Sequence, residues 1–294
     1  MSFSVYLPEK LITRSLIRRF APFKTKECKL PDCAVQIYTD VNCAGFLSEN
    51  PAFSVCKEKL DAGLPLPDEL PVGEYFYAPC EDGVLIREIK GSDILVWIHD
   101  RFRRMDVVLK EPKQYSQSLH ALMMRAYQYT ALFGGGLMMH SAAIACRGHG
   151  ILFCGVPGAG KSTQARLWEQ VYGAEAINND QPCIVYQDGA AYVSGTPWSG
   201  KEPCYKNLCV PARAIVLVEK STDDRIEPVS RAEAYGLLSL HEYVVPVQPE
   251  TEALYGAAVE RLVNTVPVYR QYCTKTEAAP RALSAYLNFP ESEI

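Results

Sequence analysis

The chain has 294 residues, 48% of them hydrophobic and 22% charged, with a formal net charge of −4. That length allows one large domain or two modest ones with a real core, and the acidic balance argues against nucleic acid as the main partner, since phosphate-backbone binding needs a basic excess. The N-terminus lacks the apolar region of a signal peptide and no apolar run nears membrane-spanning length, so a cytoplasmic protein with no membrane partner is expected.

Eleven cysteines, odd in number and scattered without a C-x-x-C pair, argue against a disulfide framework or a zinc site. Cys146 and Cys154 fall inside apolar runs, where a reduced thiol acts as a small hydrophobe.

Residues 1–113 read as a β-rich domain of unassigned role. Strand-like runs at Ala34–Tyr38, Tyr75–Ala78, Val84–Ile89, Ile94–Ile98 and Met105–Leu109, with turn signals at Glu81-Asp82-Gly83 and Gly91-Ser92-Asp93, predict an antiparallel meander. The proline-rich stretch Leu64–Pro71 reads as a connector, unable to continue a sheet or a helix. Arg14, Arg18, Arg19 and Lys24 read as a solvated helix face rather than a membrane patch. Residues 114–136 form a linking helix: Leu119, Leu122, Met123, Tyr127, Ala131 and Leu132 fall near helical spacing, and Gly134-Gly135-Gly136 ends it.

Residues 137–294 alternate strand and helix signals. A strand over 137–144 is followed by a turn at 147–150 and the apolar strand Ile151–Cys154. Further strands are expected at Ala176-Ile177, Cys183–Tyr186, Ala191–Val193, Val266–Arg270 and the fully buried run Ala214–Val218. Ser230 with Glu233, and Thr274 with Glu277, have capping-box spacing and predict helix starts.

Residues 155–163 read GVPGAGKST and fit G-x-x-x-x-G-K-[ST] at every specified position, between a strand and a helix. Gly155, Gly158 and Gly160 let successive N–H groups around Ala159 converge on phosphate oxygens at a helix N-terminus. Lys161 supplies a mobile charge for the β- and γ-phosphates, and Ser162, followed by Thr163, offers a hydroxyl to Mg²⁺. ATP and Mg²⁺ are therefore the expected cofactors. Phosphoryl transfer also needs an acid near the metal, and two compete: Asp180, beyond the strand at 176–177, and Glu219, which ends the buried run as a Walker B acid would.

His140-Ser141-Ala142, the loop, Asn178-Asn179-Asp180-Gln181-Pro182 and Gly195-Thr196-Pro197-Trp198-Ser199-Gly200-Lys201 together resemble the ordered landmarks of HPr-kinase-related P-loop proteins. The resemblance covers roughly residues 137–290. It implies an α/β P-loop domain similar to the C-terminal domain of HPr serine kinase and to the nucleotide core of phosphoenolpyruvate carboxykinase, here behind a β-rich N-terminal domain. It implies that Asp180 helps hold Mg²⁺ and that His140 sits near the catalytic acid. The family's first acid, the base for the substrate hydroxyl, is replaced by Asn179, which cannot accept that proton. Trp198 and Lys201 either face the acceptor or the phosphates, or belong to a turn with a packed indole.

The expected activity is that of an ATP- and Mg²⁺-dependent phosphotransferase acting on a hydroxyl, by resemblance a serine of a small protein or peptide. The acidic signature segment of true HPr kinases is not evident, so HPr itself is a poor substrate candidate. One alternative is a nucleotide-binding sensor or scaffold that has lost catalysis, marked by Asn179. The other is a small-molecule kinase or another P-loop NTPase that uses Glu219. The sequence leaves a homo-oligomer open.

Overall fold

The computed structural model describes residues 3–6, 18–24, 33–39, 44–50, 54, 57–58, 70–72, 75–80, 83–88, 94–109, 116–200, 202–240, 244–245 and 248–289. The chain divides into two units: Met1–Gly134 with Val244–Tyr255, and Gly135–Tyr243 with Gly256–Ile294.

Period-two burial builds the first unit. In β2 (Cys33–Thr39) the residues Cys33, Val35 and Ile37 are buried while their neighbours are only half-buried, as one-sided packing requires. The other strands are β1 (Phe3–Tyr6), β3 (Leu70–Val72), β4 (Tyr75–Cys80), β5 (Gly83–Glu88), β6 (Ile94–His99) and β7 (Arg104–Leu109), and a short helix α1 (Ala44–Glu49) follows β2. The sheet order is β1-β2-β7-β6-β5-β4-β3.

The meander is present from β3 to β7, but β2 joins β7 in parallel and β1, which was not predicted, joins β2 in parallel. Parallel pairing needs a long crossover rather than a turn, so no local signal announces it. Pro71 also corrects the expectation for its stretch: it lies in β3, the outermost strand of that order, where a missing N–H is tolerated. Residues 64–69, Arg14 and the two predicted turns up to Asp82 and over 91–93 lie outside the described residues.

Helix α2 (Ser116–Phe133) buries Leu119, Leu122, Met123, Ala126 and Tyr129, while Tyr127 is only half-buried. The Tyr129 hydroxyl donates to the Val245 carbonyl at 2.8 Å, which brings residues 244–255 into this unit. Between β6 and β7, Asp100, Arg101 and Phe102 all take left-handed backbone conformations, with φ of 52°, 52° and 61°. Three such residues in a row are costly, and the offset is the burial of Phe102 against Phe133 and Tyr129 at ring distances of 4.9 and 4.4 Å. The fully buried Asp106 is compensated by His99 at 2.6 Å and Arg104 at 3.1 Å.

The second unit holds β8 (Leu137–Met138), β9 (Ala142–Cys146), β10 (His149–Cys154), α3 (Lys161–Tyr172), β11 (Glu175–Asn178), β12 (Cys183–Gln187), β13 (Ala190–Ser194), β14 (Cys209–Lys220) and β15 (Arg225–Pro228). It continues with α4 (Arg231–Ser239), β16 (Val268–Cys273) and α6 (Ala278–Tyr286). Helix α5 (Pro249–Thr265) lies between α4 and β16, and its residues from Gly256 onward belong to this unit. The sheet runs β11-β9-β10-β14-β13-β12-β8, with β16 on β14 and β15 on β16. β10, β14 and β16 are parallel to one another and the remaining pairs are antiparallel, so the fold is mixed α/β.

Several local expectations change here. The predicted strand over 137–144 is broken at residues 139–141 into β8 and β9. Thr274 starts no helix, because its amide and hydroxyl bond Asp224 at 2.8 and 3.0 Å, and α6 begins only at Ala278. Ser230 does cap α4, accepting from the Glu233 amide at 3.3 Å, although the Glu233 carboxylate goes to Arg270. β15 and α5 were not predicted. Among the described residues, no helix is long and apolar enough to cross a membrane.

Alternate residues of β9, β10 and β14 face α3 and α6, where Trp168 is fully buried among Phe153, Val216, Leu283 and Phe289. Removing that indole leaves a void that the close-packed strands cannot collapse into. Trp168→Ala is expected to destabilise this unit by about 3–5 kcal/mol, read as a lowered urea midpoint, and an unchanged midpoint would contradict this packing.

Candidate functional site

β10 ends on the buried Cys154, and the chain turns through residues 155–160 into α3. Gly155 and Gly160 take φ of 145° and 116°, values that side chains rarely allow. A Cβ on Gly155 would lie 3.0 Å from the Val218 carbonyl oxygen and 3.2 Å from the Ala159 Cβ, so the first turn of the loop has no room for one. Ala159 is nearly buried and its amide bonds the Val156 carbonyl at 3.0 Å, which closes the turn. Gly160 caps α3 without a side-chain hydrogen bond, leaving the helix N-terminus for another acceptor.

The Lys161 ammonium donates to the Gly155 carbonyl at 2.9 Å and so folds back across the loop. Burial lowers its pKa, while Cys154 and then Asp180 pull it the other way. Burial also pushes the Cys154 thiol up to about 12 despite the nearby lysine, so it stays a neutral apolar group beneath the loop. The Ser162 side chain is exposed and Thr163 half-buried, both in the first turn of α3.

His140 sits in the break between β8 and β9. The Met139 amide bonds the Pro182 carbonyl at 2.9 Å and the Ser141 amide bonds the Asp180 carbonyl at 3.0 Å, carrying the break alongside residues 180–182. His140 Nδ1 then lies 2.9 Å from Asp180 Oδ1. This pair unites two of the predicted site residues, and the field of Asp180 reaches a third, Lys161.

Asn178 was missed by sequence reasoning although it organises this flank. Only 1% exposed, it accepts from the Asp180 and Gln181 amides at 2.9 and 2.8 Å and donates to the Trp198 carbonyl at 2.8 Å. An asparagine at a strand end just before a turn is the signal that was available. Asn179 binds the same loop: its Oδ1 accepts from the Gly200 amide at 3.0 Å and its Nδ2 donates to the Glu202 carbonyl at 2.7 Å. A Cβ on Gly200 would stand 3.3 Å from the Asp180 Cβ, so the loop lies close against this acid. Trp198 is 2% exposed and packs inside the unit, while Lys201 lies outside the described residues.

Glu219 stands apart from His140 and Asp180. β14 lies on the opposite side of β10 from β9, and the Glu219 carboxylate is paired with Arg270 Nε at 2.9 Å. Among the described residues, no three His, Cys, Asp or Glu side chains gather to hold a metal ion. Mg²⁺ needs less, since one or two protein oxygens plus phosphates are its usual ligands, and the exposed Ser162 hydroxyl and Asp180 Oδ2 are hard donors of that kind.

The second unit is thus a mixed α/β domain in which a strand, a glycine-rich turn and a helix meet a His–Asp pair. The chain belongs to the family described as SynChlorMet cassette protein ScmC, whose model matches residues 110–276. Among solved structures it is similar to the Hpr(Ser) kinase/phosphatase from Coxiella burnetii, at 7% identity over 51% of this chain and 93% of that one, with a TM-score of 0.30. No curated protein matches the chain.

The clip made by Asn179 leads to a definite expectation. Asn179→Asp keeps an acceptor for Gly200 but sets a carboxylate against the Glu202 carbonyl, which loses about 1 kcal/mol and loosens the loop. Hydrogen exchange over residues 198–204 should quicken severalfold, and unchanged exchange would mean that the side chain holds nothing.

Proposed function

We propose that the protein is an ATP- and Mg²⁺-dependent phosphotransferase that acts on a hydroxyl of a protein, peptide or small molecule. The observation that carries this reading is the His140–Asp180 pair at 2.9 Å on the flank of a glycine loop whose lysine senses the same aspartate. In this reading the amides of residues 155–163 and the Lys161 ammonium hold the phosphates and stabilise charge on the group in transfer. Ser162 and Asp180 Oδ2 hold Mg²⁺, which when bound neutralises phosphate charge.

Asp180 Oδ1 fixes the imidazole through Nδ1, which leaves His140 Nε2 to take the proton of the attacking hydroxyl. The oxygen–phosphorus bond to the acceptor forms as the bond to ADP breaks, and the proton ends on His140. Asn179 does not serve as base, because its amide is spent on Gly200 and Glu202. That same occupied amide favours a second reading, a nucleotide-binding sensor or scaffold without turnover. Transfer of labelled γ-phosphate to any acceptor separates the two. Use of Glu219 as the metal acid has less support, since Arg270 neutralises it.

Calorimetric titration should find saturable Mg-ATP binding that falls by at least about tenfold in Lys161→Ala, roughly the effect of one charge-assisted bond to phosphate. Absence of binding by the folded wild type would overturn both readings. A bound phosphate favours the charged lysine, so affinity is full below the free-protein pKa of Lys161 and declines as pH rises through it. Burial has lowered that pKa, so the decline should begin at lower pH than for an ordinary lysine and should vanish in Lys161→Ala. A wild-type and variant profile of the same shape would deny Lys161 this role.

A further inference from the structure

The loop has two flanks, and the proposed chemistry uses only one of them. On one side β9 leads in from His140 and Ser141, beside Asp180. On the other side β14 pairs with β10 so that Leu217 stands beside Cys154, the last residue before the loop. Against this second flank lies a cavity of about 470 Å³, walled by residues 155–159 of the loop, by Leu217–Lys220, by Leu237 of α4 and by Arg270 of β16.

We propose that this cavity is a nucleoside subsite, which takes the base and ribose of the nucleoside triphosphate whose phosphates lie on the loop. The inference rests on the phosphate-loop reading above and adds to it where the rest of the ligand goes.

Three observations carry it. The first is direction. In the phosphotransfer reading the transferred phosphate lies toward His140 and Asp180, and the cavity lies on the other flank of the loop, beside β14. The second is size, since small-molecule sites are typically about 300–1,000 Å³ with mostly apolar walls and a few fixed polar groups. The third is chemistry. Val156 is 64% exposed on the loop itself, an unusual amount of apolar surface beside a cavity, and Leu217, Val218 and Leu237 add apolar wall. A flat base suits such surface.

The polar groups are preorganised. Arg270 is clamped between Glu219 at 2.9 Å and Glu233 at 2.8 Å, and hydrogen bonding to Glu233 raises its already high pKa, so its charge and position are fixed. The Glu219 carboxylate is half-exposed and retains lone pairs for ribose hydroxyls or an exocyclic amine. Glu219 is then a recognition group, which accounts for an acid at the end of β14 that the metal does not use.

The test compares Mg-ATP with Mg-tripolyphosphate, which has the phosphates and no nucleoside. The wild type should bind Mg-ATP more tightly than tripolyphosphate. Leu237→Trp fills the cavity from a half-buried helix position, and should weaken Mg-ATP by at least about tenfold while leaving tripolyphosphate within about twofold. Leu237→Phe, a smaller intrusion, gives the same readout if the tryptophan variant does not fold. Equal affinity of the wild type for the two ligands, or Mg-ATP binding unaffected by a folded Leu237 variant, would overturn the subsite and leave the loop intact. Failure of the wild type to bind either ligand would overturn the loop reading itself.

Discussion

The candidate site depends on two backbone hydrogen bonds, from the Met139 amide to the Pro182 carbonyl and from the Ser141 amide to the Asp180 carbonyl. They lash the break between β8 and β9 to the turn after β11, two segments separated by the loop and all of α3. Each is worth only about 1 kcal/mol net, yet together they set the register that places His140 Nδ1 at Asp180. Asn178 supports the same turn, with its side-chain oxygen accepting from the part-buried amides of Asp180 and Gln181. The His–Asp pair is therefore a product of strand termination, because continuous pairing from 137 to 144 would have left no break for His140 to occupy.

Two cations near the loop, Lys161 and Arg270, differ in their partners. Lys161 is half-buried and folded onto a carbonyl, with a pKa lowered by desolvation, so an anion that replaces the carbonyl as its partner restores what burial costs. Arg270 of β16 is ion-paired with two carboxylates, Glu219 and Glu233. One cation is poised to gain from an incoming phosphate and the other is already neutralised, which is the asymmetry expected if one flank meets the phosphates and the other meets a neutral group.

The glycine loop, the hairpin of β12 and β13, the β4–β7 meander and the Ser230 cap were legible because each is a local arrangement. Backbone freedom at glycine, period-two burial and a short polar side chain at a helix start act within a few residues. The reach of Asn179 is different in kind. Its residue type revealed only that it could not be a base; that its amide binds Gly200 and Glu202 depends on where a loop some twenty residues later comes to lie. Thr274 misled for the same reason, since Asp224 claims both its amide and its hydroxyl.

The sequence by itself thus determined a strand, a glycine loop and a helix carrying Lys161 and Ser162, because that motif is set by conformational freedom and charge along one short stretch. Tertiary structure alone decided that β1, β2 and β7 run parallel and that His140 falls in a break beside Asp180. It also decided that Trp198 is buried and that Glu219 faces Arg270. Those outcomes rest on pairing between strands far apart in the chain, and the energy that selects such a pairing comes from burial summed over the whole sheet rather than from any residue's neighbours in sequence.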